Sequence, residues 1–283
     1  MQGAQQTLAV IFSTMCTIAI LLEVATGAPL IIAANRDEIY ARPTRPPESL
    51  GEGIAGGVDV LSGGTWLAIR RDGRFAAVTN QRALAPVPPG LRSRGLAVRE
   101  LAAASDPDAY VAALDPTKYA SMNLVWGDAR GASIAYVRRA GSLEIEVLPP
   151  GIHVLCNDRL GAEGFPRGVR LHDAIAAGPR RWPDLLPALQ AALADHTRLE
   201  LSAVDQLGSA TPAAGQGSSG AVPAPPRLPP ELARELTATC IHSPLYGTRS
   251  STIFAARPGQ TLAYLHADGP PCTAPFTDRM ALL

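Results

Sequence analysis

The chain has 283 residues, 47% hydrophobic and 18% charged, and its 25 basic and 25 acidic side chains cancel. That length suffices for one large globular domain or at most two, while zero net charge and 5% aromatic content argue against nucleic acid or an anionic membrane as partner. Four cysteines, Cys16, Cys156, Cys240 and Cys272, form no C-x-x-C pair and no local zinc-type spacing. They are read as reduced thiols of a cytoplasmic protein, and no metal site is expected.

The N-terminal region admits two readings. Residues 8–22 are almost wholly apolar and residues 25–28 are small, the pattern of a secretory signal. Yet no Lys or Arg precedes Arg36, and Ser13, Thr14 and Thr17 interrupt a run already short for a membrane span. The other reading takes Met15 as the start and residues 1–14 as a non-native or processed extension. Residues 15–283 then form a single domain, and Cys16 becomes the N-terminal residue. A secreted protein is expected only if residues 1–28 are a signal.

Two apolar strands are expected at 17–23 and 29–34 around Gly27, followed by a polar connection over 35–47 in which Pro43, Pro46 and Pro47 exclude regular pairing. Residues 66–69 and 75–79 flank Arg71-Asp72-Gly73 as a hairpin. Residues 93–104 have helical spacing, with Leu96, Val98, Leu101 and Ala102 on one face. Residues 106–114 read as a short helix capped by Asp106. Strands follow at 123–126, 133–137, 143–147 and 152–155. Helices are expected at 168–177 and 184–194, the latter with Pro183 near its first turn. Residues 208–230, built from Gly, Ser, Ala and Pro, read as a flexible loop. Strands at 248–255 and 261–266 close the pattern. Many strands with grouped helices indicate an α+β layered fold.

One ordered set of motifs spans nearly the whole chain: Met15-Cys16, Asn35-Arg36-Asp37-Glu38, Arg42-Pro43, Gly63-Gly64-Thr65-Trp66, Ala77-Val78-Thr79-Asn80, Asn157, and Tyr246-Gly247-Thr248-Arg249. The set resembles the NRDE-motif family, also called the transport and Golgi organisation protein two family. That family begins Met-Cys, and it is distantly similar to the N-terminal nucleophile hydrolases of the penicillin V acylase type. The resemblance implies a four-layer αββα sandwich. It also implies a site containing Asn157 and Arg249 and, through members linked to haem trafficking, a possible role for haem as ligand.

The residues themselves suggest a chemistry. The α-amino group of an N-terminal cysteine titrates at roughly pH 7.7–8.0 and can take a proton from its own thiol without a histidine. Arg36 is the candidate to lower the thiol pKa. Asp37, with Glu38 competing, is the candidate to orient the amine or Arg36. Asn80, at a strand end, is the candidate oxyanion donor. Each has a plainer reading: Cys16 as a small core residue, Arg36 and Asp37 as an ion pair, Glu38 as a solvated edge, Asn80 and Asn157 as loop caps, Arg249 as a turn anchor, and Gly63-Gly64 as a backbone requirement. The expectation is a cysteine amidohydrolase acting on a small N-acyl or linear amide through Cys16 without a cofactor. The alternative is a non-enzymatic haem carrier, with iron donors sought at His153, Cys156, Cys240 or His242.

Overall fold

The structure, a computed structural model, describes residues 16–81, 87–204 and 229–283. Met15, the proposed extension before it, and residues 208–228 of the expected loop lie outside the described residues. Pro230, at the expected loop's end, opens a short helix instead.

Two antiparallel sheets face each other. The first contains β1 (Thr17–Ala25), β2 (Ala28–Ile39), β10 (Gly151–Leu155), β11 (Tyr246–Arg257), β12 (Gln260–Ala267) and β13 (Thr277–Asp278), in the order β10-β1-β2-β11-β12-β13. The second is a meander of β3 (Thr44–Gly51), β4 (Ile54–Asp59), β5 (Leu67–Arg70), β6 (Phe75–Asn80), β7 (Met122–Asp128), β8 (Gly131–Arg138) and β9 (Ser142–Val147). Strand alternation sends Ile18, Ile20, Leu30, Ile32 and Phe254 of the first sheet against Leu67, Ile69, Phe75, Val125 and Ile134 of the second.

The outward faces carry the helices. Ala19, Leu21, Ile31, Ala33 and Ile253 meet Leu171 and Ile175 of α3 (Pro166–Ala176) and Leu189 and Leu193 of α4 (Leu186–Leu193). Ala68, Ala76, Val78, Leu124 and Trp126 meet α1 (Arg94–Ala103) and α2 (Pro107–Ala112). The expected αββα sandwich is therefore present. α5 (Pro230–Glu235) precedes β11.

Several boundaries differ from the sequence reading. β2 does not stop at Ala34 but continues through Asn35-Arg36-Asp37-Glu38, because β11 runs beside it from Ala256↔Leu30 to Tyr246↔Ile39. The expected 35–47 connection contains the start of β3, which tolerates Pro46 and Pro47 because it is an edge strand whose register shifts between Arg45 and Glu48. The buried face of α1 is Ala97, Val98, Leu101 and Ala102, with Leu96 only half buried. Asp106 caps α2 as expected, accepting from the Ala109 N–H at 3.0 Å. α4 begins at Leu186 with Pro187 in its first turn, so Pro183 lies ahead of it.

Candidate functional site

The site grows from the central strand β2. Alternation places Arg36 and Glu38 on the same side as Ala34, toward the other sheet, and Asp37 on the opposite side with Ala33. Arg36 therefore pairs with Glu38 (Nη2 to Oε2, 3.5 Å) and not with Asp37. Glu38 is no solvated edge: it is buried, its Oε1 accepts from the Ile39 N–H at 2.9 Å, and it joins a chain to Arg42 and Asp59. Burial raises its carboxyl pKa, opposed chiefly by Arg36.

Cys16 directly precedes β1, whose first pair is Thr17↔Asn35, so it lies alongside Arg36 and Asp37. It is 5% exposed. Burial, then the charge of Asp37, pushes its thiol up to about 12, against a smaller opposing pull from Arg36 and a hydrogen bond from the Asp37 backbone. Within a peptide bond this thiol is held protonated and inert. Asp37 is fully buried, and desolvation lifts its carboxyl to about 7, opposed first by Arg167 and then by the Thr248 hydroxyl. Thr248 Oγ1 donates to Asp37 Oδ1 at 2.6 Å, while Oδ2 has no hydrogen-bond partner among the described residues.

Cys16, Arg36, Asp37, Glu38, Asn80 and Arg249 all line one cleft of about 840 Å³. Asn80 ends β6 there. Arg249 is the extra residue of a bulge between Thr248↔Asp37 and Ser250↔Arg36. Its guanidinium donates to the Tyr40 carbonyl and, at 3.3 Å, to Thr44 Oγ1. Asn157 stands behind the cleft wall. Its Nδ2 donates to the Asn80 carbonyl at 2.8 Å and its Oδ1 accepts from Arg167 Nη2 at 2.9 Å.

Three participants escaped the sequence reading. Arg167, 1% exposed, is the buried cation behind Asp37. Thr248 stands out in the sequence only as part of the Tyr246-Gly247-Thr248-Arg249 motif. Arg94 opens α1, lines the cleft, and has no acidic partner among the described ion pairs. Desolvation lowers its guanidinium pKa to about 10, with Cys16 the first opposing influence. A cation in the first turn of a helix with no acid beside it runs against the helix dipole, and that is the sequence signal that singles it out. Its position depends on Gly64. A Cβ there would lie 2.3 Å from the Gly95 carbonyl carbon, so only glycine lets α1 approach the sheet this closely, with Thr65 N–H bonding the Gly95 carbonyl at 3.1 Å.

The haem-donor candidates lie elsewhere. His153 Nε2 bonds the Pro149 carbonyl at 2.7 Å, and His153 and Cys156 line a smaller cavity of about 300 Å³. Cys240 and His242 do not line the large cleft; they meet Cys272 and His196, separate segments that local spacing could not connect. All four cysteines are free thiols, as expected, and Cys240 and Cys272 lie together although the sequence holds them 32 residues apart.

Among solved structures, the chain resembles a Caenorhabditis elegans N-acylethanolamine-hydrolyzing acid amidase ortholog (TM-score 0.47, 11% identity, covering 84% of this chain and 92% of that one). It also resembles a mutant conjugated bile acid hydrolase from Clostridium perfringens (TM-score 0.45, 9% identity, covering 94% and 96%). The Transport and Golgi organization protein 2 homolog of Bos taurus is 31% identical over 250 residues, covering 79% of this chain and 80% of the relative, and that of Homo sapiens is 30% identical over the same spans. The sequence profile described as Transport and Golgi organisation 2 matches residues 15–266. The chain belongs to the Transport and Golgi organisation 2 family.

Proposed function

We propose that this protein is a cysteine amidohydrolase that becomes active when Cys16 is the N-terminal residue, and that it acts on a small N-acyl or linear amide carrying an anionic group. The observation that carries the reading is the juxtaposition of Cys16 with Asp37, a fully buried carboxyl whose Oδ2 has no partner among the described residues, at the wall of a cleft of about 840 Å³. A free α-amino group at Cys16 supplies a base for the thiol and, once protonated, a further cation beside Arg167 and Arg36 to stabilise the Asp37 carboxylate.

In the reaction, the thiol proton passes to the α-amino group and Sγ attacks the amide carbonyl carbon. The tetrahedral oxyanion accepts a hydrogen bond from Asn80. The C–N bond then breaks, the leaving amine takes the proton from the α-ammonium, and water hydrolyses the resulting thioester. Arg94, cationic, at the positive end of α1 and without an acidic partner among the described ion pairs, is the group that receives a substrate carboxylate.

The test compares chains beginning at Cys16 and at Met1 on a panel of N-acyl amino acids. Intact-mass spectrometry reads the acyl adduct and amine release reads turnover. Adduct and turnover are expected only in the form beginning at Cys16, and both are lost in Cys16→Ala. Equal turnover by the Met1 form, or by Cys16→Ala, overturns the reading.

Haem carriage is a second reading, favoured by the arginine-rich cleft walls, which suit propionates. Among the described lining residues, the iron donors are Cys16 and His266. It predicts a saturable Soret shift that Cys16→Ala or His266→Ala abolishes, and no dependence on the N-terminus.

A further inference from the structure

We propose that His196, Cys240, His242 and Cys272 form a binding site for a zinc-class divalent cation, apart from the cleft. One potential ligand atom from each lies within 4.8 Å of the others. Zinc takes two thiolates and two imidazoles in a tetrahedron, and with Zn–S bonds of about 2.3 Å and Zn–N bonds of about 2.0–2.1 Å its sulfurs stand about 3.8 Å apart and each S···N edge spans about 3.6 Å. Cys240 Sγ and Cys272 Sγ are 3.7 Å apart, and His242 Nε2 is 3.7 Å from the first and 3.2 Å from the second. The sulfur separation matches a shared cation and is far beyond the roughly 2.05 Å of a disulfide.

The outer contacts suit ligation too. His196 Nδ1 donates to the Cys240 carbonyl at 3.0 Å, which leaves the lone pair on Nε2. Metal-binding histidines are commonly oriented by such a carbonyl. Cys240 is buried while His196 and Cys272 are exposed, so the cluster has a closed floor and an open entry.

The cation would fasten three segments that the sheets leave to loops. His196 follows α4, Cys240 and His242 precede β11, and Cys272 sits between β12 and β13. The middle segment reaches the cleft: the Ile241 N–H donates to Thr248 Oγ1 at 2.9 Å, and Thr248 donates to Asp37. The site is structural in kind, with four protein ligands and no open coordination position.

The decisive experiment uses the full chain purified under reducing conditions without chelator. Elemental analysis is expected to find one equivalent of zinc, and Co(II) exchange is expected to give the visible bands and sulfur charge-transfer absorption of a tetrahedral S₂N₂ site. Cys272→Ser and His242→Ala should each lose the metal, and chelation of the wild type should lower Tm, with zinc restoring it. Because the wild-type stoichiometry and Co(II) spectrum stand alone, a variant that fails to fold does not rescue the idea. Reduced wild-type protein that takes up neither metal overturns it. So does a non-reduced mass short by two hydrogens with Cys240 and Cys272 in one cross-linked peptide.

Discussion

Asp37 makes a pH signature that belongs to one carboxyl. Burial raises its folded-state pKa from the ordinary 3.8 to about 7, so the folded chain holds a proton that the unfolded chain has released across that window. Stability from this group is therefore lost as pH rises from about 4 to 7, on the order of a few kcal/mol. His266 opposes it: burial, and then Arg279, lowers its pKa from 6.5 to about 4, so its contribution rises with pH between those values. Asp37→Asn isolates the first effect. Denaturant titrations at several pH values should show the variant gaining on wild type from pH 4 to 7; a constant gap would mean that Asp37 titrates normally. Thr248→Val makes a separate prediction. It leaves Ile241 N–H and Asp37 Oδ1 without their shared hydroxyl, at a cost of about 1–3 kcal/mol, and raises the Asp37 pKa further. Of these residues, Cys16, Arg36 and Asp37 were legible because their types announce their chemistry. Arg167 was not, because a cation at a helix start shows nothing of the carboxyl it faces until β2 and α3 pack.

At the scale of elements, the sequence read best where one face of a strand or helix repeats and worst where a partner strand decides. The apolar runs of β1, β5 to β8 and β12 were found within a residue or two. The polar half of β2 was missed because only pairing with β11 keeps Asn35 to Ile39 extended. β3 was missed because its prolines forbid a central strand and say nothing against an edge. Gly63-Gly64 reads as a backbone requirement, but only the packed structure shows Gly64 as the seat of α1. Gly64→Ala tests that seat. The added carbon meets Gly95 backbone atoms at 2.3 and 2.6 Å, with no flexible side chain to yield, so α1 must move outward and carry Arg94 with it. A loss of about 1–3 kcal/mol is expected, as for overpacking elsewhere. If the proposed role of Arg94 holds, KM for anionic substrates rises more than for neutral ones. An unchanged Tm would show that the helix is not seated on this glycine.

The whole molecule turns on the layer between the sheets. Ile32 lies at its centre, paired with Ile20 on one side and Phe254 on the other, and it is fully buried with both. Both outer helix layers depend on sheets that this layer holds together, so they should be lost in one step, as expected if residues 15–283 form a single domain. Ile32→Ala should cost about 2–5 kcal/mol through lost burial and the cavity left behind. The tryptophans report on different layers: Trp126 under α1, Trp66 between that layer and the core, and Trp182 against the α3 and α4 layer. In wild type and Ile32→Ala alike, midpoints from tryptophan fluorescence and from far-ultraviolet circular dichroism should coincide, with the variant's shifted lower as a unit. Separate midpoints would divide the chain into two cooperative units, with the boundary running between the two sheets.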